Sequence, residues 1–459
     1  MNIIPHQDAL AAIEKAALRR LEDAAGKALQ EARRRGAAAA EAAAHMSTGL
    51  ALTVRDNAVE TIQRHTQRRL ALKVLLGKRT VSVSTTDCSA QGVALLAEQA
   101  MAMVRLVEAD PWSGLPPAER LAKSFPDLDL YHPWMLTMDQ AVACTAAAEA
   151  AALACDSRLK PGAGAVLSSS ASAGVLVNSL GFVGHRLATH HGLQVQVMAA
   201  TGTEQVRDSA WTTARRADTL ENPETLGRHA AQRTLERLGA RRIASQKVPV
   251  IYPAELARGL VGHLLGALGG GALYRKASYL CERLDTAVAS SLVTISEDPH
   301  LPGALGSAVF DAEGVATAAR TIVAAGQLQG YLLDSYAARR LGLVTTGNAG
   351  GTHNATLQPG THSLEELCRI IHRGVLLREL LGQGVNLVTG DYSRGFAGFW
   401  IENGSIAYPI HECTIAGNLD VMWQQVQALG DTLDSRGSTR SPAVVVDGMT
   451  IAGLSIAGL

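Results

Sequence analysis

The feature that most restricts the fold is a change of hydrophobic period near Gly49. Before it, residues 7–35 place apolar side chains at helical spacing (Leu10, Ile13, Ala17, Leu21). That predicts a long amphipathic helix, with Gly36 positioned to end it. After it, "LALTVRDNAVETI" and "RRLALKVLLGKRTVSVSTTD" alternate apolar and polar residues. Alternation predicts strands, and Asp56-Asn57 and Gly77-Lys78 predict the hairpin turns between them. Further helices are expected at 89–108, 138–154 and 223–239. Between them lie a Pro-rich loop, "DPWSGLPPAERLAKSFPDLDLYHP", and short strands in "GAVLSSSASAGVLVNSLGFVGHRLATHHGLQVQVMAAT".

A change of domain is expected at "RRIASQKVPVIYP", where a basic linker meets an apolar strand from Val248 to Tyr252. Beyond it strands dominate: "SLVTISEDP", "TIVAAGQLQGYLLD", "GVNLVTG", "GFAGFWIENGSIAYPI" and "PAVVVDGMTIAGL". Asn403-Gly404 marks a hairpin turn. Shorter helices are expected near 334–341 and 414–429. Helices and strands do not alternate regularly, so the expected class is α+β rather than doubly wound. The expected architecture has two lobes, an N-terminal one of helices and hairpins over 1–245 and a strand-rich antiparallel one over 246–459. No repeat of solenoid period is present.

Composition excludes some functions. Apolar residues make up 47% and charged residues 18% of 459, an ordinary globular balance. Lys+Arg and Asp+Glu both number 42, so no net charge draws in nucleic acid or an anionic membrane, and association with another chain is not opposed. Aromatic content of 4% argues against a base-stacking surface. The start lacks the pattern of a secretory signal, and no apolar run reaches the ~18–20 residues of a membrane span. The cysteines (Cys88, Cys144, Cys155, Cys281, Cys368, Cys413) are dispersed and form no C-x-x-C pair, which suits a reducing cytoplasm.

The chemistry-bearing candidate is the helix in "ARGLVGHLLGALGGGALYRK", residues 257–276. It carries one histidine, His263, and runs into glycines. A zinc-peptidase helix needs two histidines about a turn apart and a glutamate beside the first. Here Leu264 stands in the glutamate position, and Ala267 or Leu268 lies one turn on. A single imidazole does not hold zinc. His411-Glu412 has no second histidine within a turn, and His190-His191 point to opposite faces of a strand. "GDYSRG" has one residue too many for a nucleophile elbow, and "GLVTTGN" lacks the lysine and hydroxyl of a phosphate loop. Two Gly-rich stretches stand out: "TTGNAGGTHN" (345–354), with Gly347, Asn348, His353 and Asn354, and "GDYSRGFAGFW" (390–400), with Gly390, Asp391, Tyr392, Ser393 and Arg394. Each is either a tight loop or the lining of a groove that receives another backbone.

The segments "GLVGHLLGALGGGALYRKASYL", "FDAEGVAT", "YAARRLGLVTTGNAGGTHN", "GQGVNLVTGDYSRGFAGFWIENGSIAYPI" and "TIAGNLDVMW", with "DPWSGLPPAE" and "DLDLYHP" in the N-terminal half, resemble the TldD/TldE (PmbA) peptidase family, in its TldE branch. The resemblance spans nearly the whole chain in order. It implies one half of a cytoplasmic heterodimeric zinc metallopeptidase that degrades unfolded or extended peptides, including a microcin precursor and an antitoxin acting on gyrase. The older family label, modulator of DNA gyrase, implies no DNA binding. In TldD the metal sits on an H-E-x-x-x-H helix with a cysteine near the C-terminus. Carried over by position, the first histidine is His263, the glutamate falls on Leu264 and the second histidine on Leu268. The cysteine position falls in "SRGSTRSPAV", which has none, and Cys413 lies upstream. The resemblance therefore implies no metal on this chain, zinc on a TldD-like catalytic partner, extended peptides as substrate, and no nucleic-acid or membrane partner. A self-dimer is open when the chain is alone, and a stand-alone hydrolase or a homodimeric scaffold are the alternative functions. The candidates for the substrate path or subunit interface are Gly347, Asn348, His353, Asn354, Gly390, Asp391, Tyr392, Ser393 and Arg394. The resemblance also implies a strand over roughly Ala39–Met46, against the helical propensity of its alanines.

Overall fold

The computed structural model describes Ile13 and residues 15–453. The fold is α+β, as expected. The chain divides into two compact units: residues 1–235 with 302–304 and 309–316, and residues 236–301 with 305–308 and 317–459. In this division the first break lies at Leu235/Glu236. Two short segments of the C-terminal half also fold with the first unit. Phe310 from one of them stacks edge-on against Phe182, with ring centroids 5.2 Å apart, in a small apolar cluster with Leu121 and Leu176.

The first unit contains helix α1 (Lys15–Arg34), strands β1 (Ala39–Arg55), β2 (Ala58–Leu76) and β3 (Arg79–Thr85), helices α2 (Ala90–Val104) and α3 (Met138–Leu153), strands β4 (Leu159–Asn178), β5 (Val183–Thr201) and β6 (Glu204–Ala214), and helix α4 (Pro223–Leu235). The expected start of the first helix at residue 7 lies outside the described residues. The strands form one antiparallel sheet in the order β3-β2-β1-β4-β5-β6. The turns at Asp56-Asn57 and Gly77 have positive φ, as tight hairpin turns require. Alternate residues of each central strand are buried, Ala40, Ala42, Ala44, Leu50 and Leu52 on β1 and Leu167, Ala171, Ala173 and Val175 on β4. The helices cover that face. Ala17, Leu21, Ala25, Ala28 and Ala32 of α1 pack on the alanine end of β1, and Ala141 of α3 on Leu50 and Leu52. The stretch Ala39–Met46 is therefore strand. Its alanines pair with β2 on one side and β4 on the other. Their small side chains let α1 lie close to the sheet, so tertiary pairing overrides helical propensity.

The second unit begins with β7 (Gln246–Tyr252), α5 (Ala254–Ala267) and α6 (Gly270–Tyr274). It continues with β8 (Ile295–Glu297), β9 (Arg320–Ala324), β10 (Gln327–Leu328), α7 (Ser335–Leu341), β11 (Ala355–Leu357) and α8 (Leu364–Ile371). It ends with β12 (Gly374–Leu381), β13 (Asp391–Glu402), β14 (Ser405–Asn418), α9 (Leu419–Gln424), β15 (Val426–Leu429), β16 (Thr439–Arg440) and β17 (Val444–Ala452). One sheet runs β14-β13-β12-β7-β17-β15, and a further pairing of β14 with β17 closes its first strands into a ring. Trp423, Tyr252, Phe396, Leu264 and Leu268 are among the fully enclosed side chains of the core. A smaller sheet, β10-β9-β8-β11-β16, contributes Ile295, Ile322, Val323, Leu328 and Leu357 to the same core.

The Asn403-Gly404 hairpin forms between β13 and β14. The helix expected over 414–429 is only Leu419–Gln424, because residues 405–418 pair as β14. "GVNLVTG" is a loop that touches Tyr392 through a single bridge at Val385. Strand β12, which the sequence did not announce, carries Arg378 and Glu379 within an apolar run. Both side chains leave the strand to form ion pairs, Arg378 with Glu236 at 3.1 Å and Glu379 with Arg237 at 2.7 Å.

Candidate functional site

Helix α5 follows β7 directly and buries Ala257, Leu260, Val261, Leu264, Leu265 and Ala267 in the core. Its opposite face is exposed at Gly259, Gly262 and Gly266. His263 lies at the boundary between these faces, half-buried. Its ring meets that of Tyr392 edge-on, with centroids 6.3 Å apart. Tyr392 in turn stands edge-on to the fully buried Tyr252 at 6.4 Å. Burial, helped by the nearby Arg394 guanidinium, lowers the His263 pKa and keeps the imidazole neutral at pH 7.

A neutral imidazole suits a metal, but the remaining ligands are absent from this helix. Leu264 and Leu268 are fully enclosed aliphatic side chains. Zinc needs three or four N, O or S donors at about 2.0–2.3 Å. Among the described residues no three His, Cys, Asp or Glu side chains come together in a way that could hold an ion. Cys413 is buried on β14 and its thiol donates to the His411 carbonyl at 3.2 Å. Burial raises its pKa, which disfavours the thiolate a metal would require. The residues at the zinc-helix position do not fit the metal.

The two Gly-rich stretches have different neighbours. In 390–394, Gly390 has φ of 81° and its Cα faces the Asn418 side chain, which an added Cβ would meet at 3.0 Å. β13 then places Tyr392 inward against His263, with Asp391 and Ser393 exposed. Arg394 is half-buried and donates to the carbonyls of Leu380 and Leu381 at 3.3 and 3.4 Å. Asp391 accepts from the Asn418 amide at 3.4 Å.

The stretch 345–354 closes on itself around a buried carboxylate, Glu297 on β8. Glu297 accepts from Arg320 Nε at 2.8 Å, from Asn348 Nδ2 on both oxygens at 3.1 Å, and from the His353 backbone N–H at 3.1 Å. Arg320 also donates to Asn348 Oδ1 at 2.7 Å and to the Tyr331 carbonyl at 3.0 Å. Asn354, at φ of 49°, donates to the Asp298 carbonyl at 2.9 Å and to the Ser307 hydroxyl at 2.7 Å, and accepts from Gly306 N–H at 2.9 Å. His353 Nε2 donates to the Gly347 carbonyl at 3.2 Å. Gly347 provides the positive φ, 72°, that the turn requires. Asn348 and Asn354 thus use their side chains to hold the loop. Sequence reasoning missed Glu297 and Arg320. The available signal was a lone Glu in the apolar run "LVTISEDP", a residue that is seldom buried without a partner.

The fold and site define a two-unit α+β protein built on largely antiparallel sheets, whose C-terminal unit carries a single-histidine helix backed by core leucines. Comparison with known proteins agrees with that class. Family models described as PmbA/TldA metallopeptidase domain 1, central domain and C-terminal domain match residues 40–104, 131–238 and 245–453. The chain is 40% identical to the Metalloprotease PmbA of Escherichia coli O157:H7, over 94% of this chain and 96% of that one. It is 36% identical to a Metalloprotease PmbA homolog of Haemophilus influenzae, over 96% and 98%. Among solved structures, a protein from Bacteroides thetaiotaomicron proposed to modulate DNA gyrase superposes with a TM-score of 0.90 at 27% identity, over 94% of this chain and 99% of that one. TldE from Thermococcus kodakarensis shares the fold, with a TM-score of 0.81 at 21% identity over 94% and 100%. The chain belongs to the PmbA/TldD metallopeptidase family. Among the described residues, no helix is long and apolar enough to cross a membrane.

Proposed function

We propose that this chain is the metal-free subunit of a cytoplasmic two-chain metallopeptidase, pairing with a TldD-like subunit that carries zinc and cleaves extended peptides. The observation that carries the reading is α5: one imidazole at the metal-helix position, with the two companion positions occupied by core leucines. A TldD homolog of Haemophilus influenzae matches this chain at 26% identity over 44% of its length, so both kinds of chain exist within the family. Zinc chemistry, a Lewis acid with its activated water, belongs to the partner. This chain contributes surface and position.

The exposed glycine face of α5, with His263, Tyr392 and Arg394 beside it, suits close approach of an extended peptide backbone. Main-chain hydrogen bonds then supply affinity without reading sequence. Within 345–354 the Glu297 network supports a scaffolding role for Asn348, and the bonds to Asp298, Ser307 and Gly306 support one for Asn354, leaving Gly390, Asp391, Ser393 and Arg394 as the candidates nearer to substrate or partner. Gly347 and His353 shape the neighbouring loop.

Two measurements test the reading. Elemental analysis of the untagged chain without partner is expected to give zinc near zero. A ratio near ~1 would show that His263 recruits ligands remote in sequence, and the metal-free role would be lost. Arg394→Ala, assayed in the pair reconstituted with a TldD-like chain, is expected to lower peptide turnover while zinc per pair stays constant. Unchanged turnover removes Arg394 from the substrate path. Peptide hydrolysis by the isolated chain that survives chelation would overturn the assignment altogether.

A further inference from the structure

Strand β2 runs from Ala58 to Leu76, but its outer neighbour β3 pairs only with Leu70–Leu76. The preceding stretch, Ala58–Arg69, is bonded to β1 on one edge and, among the described residues, to no strand on the other. All twelve of its residues are exposed. At about 3.3 Å per residue this is an open edge about 40 Å long. Natural sheets rarely leave such an edge bare, because its free N–H and C=O groups form a template for another strand. The one register shift of the β1–β2 pair lies at Thr53/Val54, toward the turn, so Thr61–Arg69 is regular and free of proline.

Two further observations describe what would fit there. The first is apolar continuity. Ile62 pairs with Leu52 and Val59 with Val54, side by side with the buried stripe that α3 covers. α3 packs over β1, β4 and β5, and Ile62 and Val59 remain 48% and 44% exposed at its margin. An added strand would extend this layer by one row. The second is charge. Residues 61–69, "TIQRHTQRR", hold Arg64, Arg68, Arg69 and His65 and no acid. The carboxylate next to this stretch in sequence, Glu60, is paired with Arg55 at 3.4 Å, and Asp87, past the end of β3, lies with Arg68 near Cys88. A second copy of this edge would place arginines against arginine or neutral groups, and like charges directly opposite each other destabilise a strand pair. The arginines thus guard the edge against self-pairing while leaving it open to an acidic strand.

We propose that the free edge of β2, residues 61–69, docks an acidic extended strand of a partner protein by strand addition, with apolar side chains of that strand resting on Ile62 and Val59. The proposal stands on the first unit alone and does not depend on the metal-free peptidase role.

The probe is a fluorescent peptide of alternating valine and glutamate, added to the full-length protein. Binding is followed by anisotropy, and hydrogen exchange is measured over residues 58–69. The expected result is saturable binding that slows exchange within 58–69. The double variant His65→Glu/Arg69→Glu, which puts two acids on the face away from Ile62 where the peptide's glutamates lie, should weaken it by at least about tenfold, because like charges across a strand pair repel. The same peptide with alternate amides N-methylated should also bind at least about tenfold more weakly to the unaltered protein, because strand addition rests on main-chain hydrogen bonds. This second arm holds even if the double variant is poorly folded, which its thermal unfolding reports. Binding indifferent to N-methylation would mean charge attraction only and would overturn strand addition. No binding, or no protection within 58–69, overturns the site. A concentration-dependent self-dimer that protects the same amides would assign the edge to a second copy and overturn the acidic partner.

Discussion

At the scale of single residues, two buried titratable groups make opposite predictions for pH. His191 on β5 is fully enclosed. Its Nε2–H donates to the His132 carbonyl at 2.9 Å, and Nδ1 accepts from the Ser169 hydroxyl at 2.9 Å. Burial lowers its pKa, outweighing the help of the His132 carbonyl. The unfolded chain therefore takes up the proton first as pH falls through about 6.5, and stability is lost below that value. Urea midpoints measured from pH 7.5 to 5 should fall, and His191→Gln should flatten the dependence while costing about 1–3 kcal/mol at pH 7.5, from the unsatisfied Ser169 and His132 groups. Glu41 on β1 behaves in the reverse sense. Burial pushes its pKa up to about 7, with Lys73 opposing and Glu313 and Asp311 adding to the rise. Its folded pKa lies above the unfolded one, so its contribution is fully present below about 4.5 and is lost as pH rises to 7. Glu41→Gln should leave stability unchanged near pH 4 and raise it by roughly 2 kcal/mol at pH 8. A midpoint that does not move at pH 8 would remove the buried charge as the cause. The burial of both depends on segments remote in sequence: His132 and Trp134 meet His191 over the sheet, and Asp311 and Glu313 lie near Glu41.

At the scale of elements, α5 and the 345–354 loop carry their glycines and polar side chains in different settings. Gly259 and Gly262 are exposed in the middle of α5, and a Cβ added at either meets nothing within 4 Å. Each costs the helix roughly 0.5–1 kcal/mol relative to alanine with no internal packing to require it. Gly259→Ala and Gly262→Ala should therefore raise the melting temperature of the isolated chain. The same substitutions should lower turnover of the reconstituted pair if a backbone approaches this face. Gains in both would leave the glycines without a role. In the loop, Asn348→Ala deletes two donors to the buried Glu297 and an acceptor for Arg320. A loss of about 2–4 kcal/mol is expected in denaturant unfolding, because the ion pair stays buried with its partners reduced. The hairpins β1–β2, β2–β3 and β13–β14 were legible because alternation and turn residues are local signals. Strand β12 was not, since Arg378 and Glu379 interrupt its apolar run and find their partners on the segment 236–237, remote in sequence.

At the scale of the whole molecule, each unit buries a core of its own, and the sequence allowed two lobes without fixing where they part. Phe310 lies in the C-terminal half of the chain but packs against Phe182, so the unit boundary is not a single point in sequence. Loss of the Phe310 ring should register first in the unfolding of the first unit: Phe310→Ala is expected to lower its midpoint by an amount corresponding to about 3–5 kcal/mol, followed by hydrogen exchange in β4 and β5. What the sequence determined by itself is what local chemistry dictates: the hairpins, the α+β class, and a single-histidine helix whose Leu264 and Leu268 cannot bind metal wherever the helix lies. What only the tertiary structure decided is what depends on residues far apart. It made a strand of the alanine run at 39–46, because pairing on both edges and the approach of α1 outweigh an intrinsic preference of a few tenths of a kcal/mol per residue. It turned Asn348 into a support for a buried carboxylate and Asn354 into a tie to the Asp298 and Gly306 backbone and the Ser307 hydroxyl. Among the described residues, it also left Ala58–Arg69 of β2 without a strand on one edge, because β3 pairs only with Leu70–Leu76.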